Sequence, residues 1–144
     1  AFGRVYAGWA YSQAFFRNHE YRAFGHDSPR ALLDAWARDH QAYDANDLLC
    51  MLSSWQNADI SANPKFCGDF AAALGAITAR AIIMPADNDL YFHPDDSRLE
   101  VAQLANAELR VIESTWGHIA GGPDRNPHAS AQIDAAIRHL LADQ

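Results

Sequence analysis

Two short apolar runs, Ala81–Met84 and Leu109–Ile112, interrupt a chain whose other apolar positions recur at helical spacing. Phe2, Tyr6, Trp9, Gln13 and Phe16 lie four, three, four and three residues apart. They predict one helix over 2–24, ended by Gly25, with Tyr11, Phe15, Tyr21 and Phe24 widening its apolar surface. Ser28-Pro29 predicts a second helix to about Tyr43, with Leu32, Leu33, Trp36 and Ala37 on one side. Asp44 caps a third, in which Leu48, Leu49, Met51, Leu52 and Trp55 are expected to be buried. Residues 61–68, SANPKFCG, read as a connecting loop, and a short helical piece around Asp69–Leu74 leads to the first run. Between the runs a helix of about Pro94–Leu104 should turn Leu99, Ala102 and Leu104 inward. The second strand is expected near Glu108–Glu113. Asn126-Pro127 then starts a terminal helix whose Ile133, Ala136, Ile137, Leu140 and Leu141 share one face.

The two runs read as strands. The first stops at Pro85 and opens into a loop with Asp87 and Asp89; the second leads to a loop with Trp116-Gly117-His118. In a parallel sheet both C-terminal ends share one edge, so an acid and the histidine can meet there. Such a pair is two thirds of a nucleophilic triad. Gly117 would let the backbone turn tightly before His118, and Gly121-Gly122-Pro123 would turn it away afterwards. Two strands do not make a stable open sheet, and a parallel pair is normally buried on both faces, so further strands are expected from elsewhere. A start at Ala1-Phe2-Gly3-Arg4, without methionine, is in keeping with a chain that begins mid-protein.

Composition narrows the classes. The 144 residues have the length of one domain, with 49% hydrophobic and 20% charged residues, which argues against disorder. A formal charge of -7 provides no basic stripe for nucleic acid, and no apolar run approaches the roughly 20 residues of a membrane span. Two cysteines, Cys50 and Cys67, make no disulfide framework and read as reduced structural thiols of a cytoplasmic protein. Eleven of the sixteen aromatics fall in the first 55 residues, which suits a helical core, a pocket wall or a subunit contact.

Other chemistries fit the acidic loop less well. Asp87-Asn88-Asp89 is separated from its strand by Pro85-Ala86, and Leu90 replaces the hydroxyl residue usual after an aspartate nucleophile of the D-x-D type. A calcium loop would need glycine where Phe92 stands. A metal site from Asp87, Asp89, His93, Asp95, Asp96 and His118 is conceivable, but acids at a helix N-terminus are explained by its dipole.

The run from Ala79 to Pro123 resembles the C-terminal part of α/β-hydrolase-fold proteins of the homoserine O-acetyltransferase family. Their acid-bearing strand ends in a D-x-L-F-P-like phrase, here Asp89-Leu90-Tyr91-Phe92-His93-Pro94, and their last strand is followed by G-H, here Gly117-His118. Residues 1–60, with WQNADIS at Trp55–Ser61, resemble the family's inserted helices. The resemblance implies an α/β fold: a helical cap over residues 1–68, then the last two parallel strands and flanking helices of the core over 69–144. It implies Asp89 as triad acid and His118 as base, with Asp87 two residues ahead of the matching position. It also implies a serine nucleophile in a G-x-S-x-G elbow before residue 1, since no serine of this chain has that context. The expected activity is acyl transfer or ester hydrolysis in the complete protein, with this chain alone inactive. No permanently bound cofactor or metal is expected. The expected partners are a small acyl donor such as acetyl-CoA, an acceptor, the rest of the polypeptide, and a second copy through the cap helices. Homoserine-specific members commonly carry an acidic residue directly after the histidine; Ile119 stands there, so an acceptor without an amine is expected.

Overall fold

The computed structural model describes residues 1–122 and 126–142. Pro123, part of the expected turn after His118, lies outside them. The first helical stretch is not one helix. α1 (Phe2–Ala10) ends at Tyr11, whose backbone is extended, and Ser12 then caps α2 (Gln13–Arg17) by accepting from the Phe15 N–H at 3.0 Å. A 3-10 turn over Glu20–Phe24 follows, and Gly25 closes it at φ 77°, as its position led one to expect. The break arises because the Ser12 hydroxyl satisfies an α2 amide and also donates to the Thr115 carbonyl, a contact a continuous helix would not offer.

The inward face also differs from the expected one. Phe2 and Trp9 stand half exposed, while Gly3, Ala7 and Ala10 face inward. Small residues are needed because α1 lies tightly on α3 (Pro29–Asp39): a Cβ on Gly3 would sit 2.5 Å from the Trp36 carbonyl oxygen. α3 is capped by Ser28, as expected, and buries Leu32 against Tyr11, Phe15 and Tyr21, with Leu33 and Trp36 packed beside it. Trp36 donates its indole N–H to the Tyr11 hydroxyl at 2.9 Å, so this aromatic core leaves that polar group paired.

α4 (Ala45–Gln56) begins at the Asp44 cap as expected, but none of its residues is buried. Leu49, Met51, Leu52 and Trp55 are exposed, Met51 at 67%. Helical spacing specifies an apolar face, and the described residues provide nothing that covers this one. Cys50 and Cys67 are free and exposed, so neither is a packed core thiol.

α5 (Phe70–Gly75) leads to β1 (Ala81–Ile83), which pairs in parallel with β2 (Ala107–Leu109): Ala81 opposite Ala107, Ile82 opposite Glu108, Ile83 opposite Leu109. Pairing continues past the strands through Ile112 N–H to Pro85 O at 2.8 Å and Asp87 N–H to Ile112 O at 3.0 Å. Those bonds hold the acid loop and the histidine loop side by side. Ile82 and Met84 turn their backbone groups to the opposite edge of β1, where no strand pairs with them among the described residues.

α6 (Pro94–Val101) packs on β2 and buries Pro94 and Ser97, not Leu99, which is 71% exposed; Ala102 is exposed too. α7 (Pro127–Ala142) is capped by Asn126, whose side-chain oxygen accepts from the His128 and Ala129 N–H groups. It buries Ala129 and Ala136, but leaves Ile137 and Leu141 of its expected face uncovered. No helix of the described residues is long and apolar enough to cross a membrane.

Candidate active site

Asp89 and His118 meet at the C-terminal edge of the sheet. Nδ1 of His118 lies 3.0 Å from Oδ2 of Asp89. A carboxylate only accepts, so Nδ1 carries the proton and a neutral ring presents Nε2 as a base. Asp89 is 5% exposed, and its other oxygen accepts the Tyr91 N–H at 2.7 Å. The His118 side chain is 29% exposed, and among the described residues Nε2 has no hydrogen-bond partner.

Asp87 is spent elsewhere. Its Oδ1 accepts from the Ser114 N–H at 3.0 Å and the Asn88 amide at 2.9 Å, so it braces the histidine loop. Asn88 adds a bond to the Ser114 carbonyl at 3.1 Å. The other acids and histidines weighed for a metal do not converge: Asp95 pairs with Arg98 on α6, His93 caps that helix, and no metal-holding group occurs among the described residues.

Gly117 makes the turn into His118 possible, for more reasons than its place in the sequence reveals. Its φ is 70°, and a Cβ there would lie 2.9 Å from Ser12 N, 3.0 Å from Ala10 O and 3.2 Å from Asn88 O. The α1–α2 link, the acid loop and the histidine loop therefore converge on one residue without a side chain. Ser12 fastens the same junction by donating to the Thr115 carbonyl, and Thr115 donates to Glu20 at 2.6 Å. Trp116 packs on Phe24 and Phe15, joining the aromatic core to the cluster of Ala86, Ile112, Ala120 and Ala129.

Sequence reasoning missed the two residues that flank the histidine ring. The Tyr91 ring lies 4.6 Å and the Phe92 ring 5.4 Å from His118, and Trp55 of α4 reaches Phe92 at 6.3 Å. The signal was an aromatic pair two and three residues after the acid. Burial raises the Tyr91 phenol to about 12, with Tyr6 and Asp89 adding to the shift. A concavity of about 340 Å³ opens beside the pair, lined by Asp89, His118, Phe92, Ser97 and the end of β1. Ser97 shares it, but no hydroxyl among the described residues is bonded to His118.

No family model matches the chain. It is 35% identical over 136 residues to the ethyl acetate hydrolase of Pseudomonas veronii, covering 94% of this chain and 38% of that protein. It is 34% identical over 138 residues to a probable esterase of Corynebacterium glutamicum, covering 95% and 39%. Among solved structures, an acetylester hydrolase from Corynebacterium glutamicum superposes with a TM-score of 0.88 at 31% identity, over 97% of this chain and 40% of that one. The acetyl esterase MekB gives 0.84 at 34% identity, over 96% and 39%. The chain thus spans about two fifths of the length of these relatives. Its fold is that of the C-terminal part of an α/β-hydrolase.

Proposed function

We propose that this chain supplies the acid and base of a serine-nucleophile ester hydrolase, and that the nucleophile and oxyanion donors belong to the rest of the polypeptide. The observation that carries the reading is the buried Asp89 bonded at 3.0 Å to a histidine whose Nε2 is left open. In that scheme the serine hydroxyl gives its proton to His118 Nε2 as its oxygen adds to the ester carbonyl. Asp89 stabilises the imidazolium, which returns the proton to the departing alkoxide. Water then repeats the sequence on the acyl-serine, releasing acid and restoring the hydroxyl.

Relatives named for hydrolysis of ethyl acetate and acetyl esters favour water as acceptor over an alcohol such as homoserine. Transfer from an acyl donor such as acetyl-CoA would use the same pair. Ile119 packs against the aromatic core around Phe15 and offers no carboxylate beside His118, which favours substrates without an ammonium group. Residues 1–68 act in this reading as a cap over a core beginning at residue 69. Free Cys50 and Cys67 suit the reducing cytoplasm.

Trapping with a p-nitrophenyl phosphonate tests the reading. The complete protein should be labelled on one serine outside these 144 residues, and much more slowly after His118→Ala. Labelling of Ser97, or of any serine in this chain, would overturn it. The alternative, a non-catalytic dimerisation or ligand-binding module with a vestigial Asp/His pair, is favoured by one observation, the uncovered apolar face of α4, and it predicts no labelling at all.

A further inference from the structure

We infer that Tyr91 is a positioning residue that ties the first helix of the chain to the Asp89–His118 pair and fixes the plane of the imidazole. The inference rests on the proposed function. Tyr91 holds the pair at two points: its N–H donates to Asp89 Oδ1 at 2.7 Å, and its ring lies tilted at 54° with its centroid 4.6 Å from that of His118. Asp89 therefore spends one oxygen on Tyr91 and the other on His118, and rotating the carboxylate would strain both bonds. The Tyr91 ring also meets Tyr6 edge-on at 5.8 Å and Trp9 at 6.2 Å. Tyr6 in turn meets Trp36 at 5.4 Å. An aromatic row thus runs from α3 through α1 to the imidazole, and it starts where α1 lies tightly on α3, with Gly3 against Trp36. A tyrosine is neutral at neutral pH, and partial burial pushes this phenol further up, so Tyr91 places bulk beside His118 without adding a charge.

A ring held this way acts on orientation rather than on affinity, and misplacement of about 1 Å can cost on the order of 100-fold in rate. Steady-state hydrolysis of p-nitrophenyl acetate by the complete protein reads it. Tyr91→Leu keeps much of the bulk and the backbone donor; it should lower kcat by about 30- to 100-fold with KM within about three-fold. Tyr91→Phe should restore kcat to within about three-fold, because the ring rather than the hydroxyl makes the contact. Tyr6→Leu should lower kcat less, and the Tyr6→Leu, Tyr91→Leu double variant should be no slower than Tyr91→Leu alone, since both remove one row. A wild-type kcat in Tyr91→Leu, or losses that multiply in the double variant, would overturn the inference. If Tyr91→Leu loses its melting transition, Tyr6→Leu decides, and a wild-type kcat there counts against it. His118→Ala separates the two levels. Full activity in that variant defeats the proposed function, whereas an inactive His118→Ala beside an unaffected Tyr91→Leu defeats only the role of Tyr91.

Discussion

Residues 1–39 and the pair formed by β1 and α4 treat their apolar side chains in opposite ways. In the first region Ala7, Phe15 and Leu32 are almost fully buried, and the rings of Tyr11, Phe24 and Trp36 close around them. That core forms from its own sequence, with small residues where helices touch and hydroxyls where polar groups need partners. In the second, β1 is only half buried, and among the described residues its outer edge is unpaired and no residue of α4 is buried. Both regions carry apolar residues at the right period. The difference lies in what covers them, and the Asp89–His118 pair sits at the seam, held on one side by the aromatic core and open on the other.

Removing atoms from each of the two regions in the 144-residue chain should separate them most clearly. Phe15→Ala empties the closed core and should cost about 3–5 kcal/mol by denaturant melting. Met51→Ala on the open α4 should stay within about 0.5 kcal/mol. Comparable losses would mean that α4 is packed after all. Gly117→Ala forces a side chain into a left-handed backbone beside three main-chain atoms, and should cost about 3 kcal/mol or more. Ser12→Ala removes a cap and leaves the Thr115 carbonyl without its donor, about 1–3 kcal/mol. A further effect is alkaline. The Tyr91 pKa is raised in the fold, so its contribution is fully present below the ordinary tyrosine value near 10 and is lost as pH rises through about 12. Melting temperature followed from pH 9 to 12 should fall less steeply in Tyr91→Phe than in the parent.

Period and caps were legible in the chain, because capping is local chemistry: Ser28, Asp44 and Asn126 each accept the amides their positions predict. The acid and histidine were legible too, since parallel pairing places strand ends together whatever surrounds them. Burial was not. Leu99 and Met51 satisfy a helical pattern that says only which face is apolar, not whether anything lies against it. The break at Ser12 was hidden because its second partner, Thr115, is 103 residues away. Tyr91 escaped for a similar reason: its contacts with Tyr6 and His118 are tertiary, and an aromatic pair after an acid carries no period.

In the proposed hydrolase Asp89, not its neighbour two residues earlier, is the carboxylate that serves His118. Paired substitutions in the complete protein test it, with kcat/KM for an acetyl ester measured for Asp89→Asn and Asp87→Asn side by side. Asp89→Asn should lose roughly 10⁴-fold, since an amide in that place favours the wrong imidazole tautomer and cannot stabilise its cation. Asp87→Asn removes only a loop brace and should lose about ten-fold at most, with the cost appearing instead as about 1–2 kcal/mol of stability. Activity that survives Asp89→Asn and is lost in Asp87→Asn would instead make Asp87 the carboxylate that serves His118.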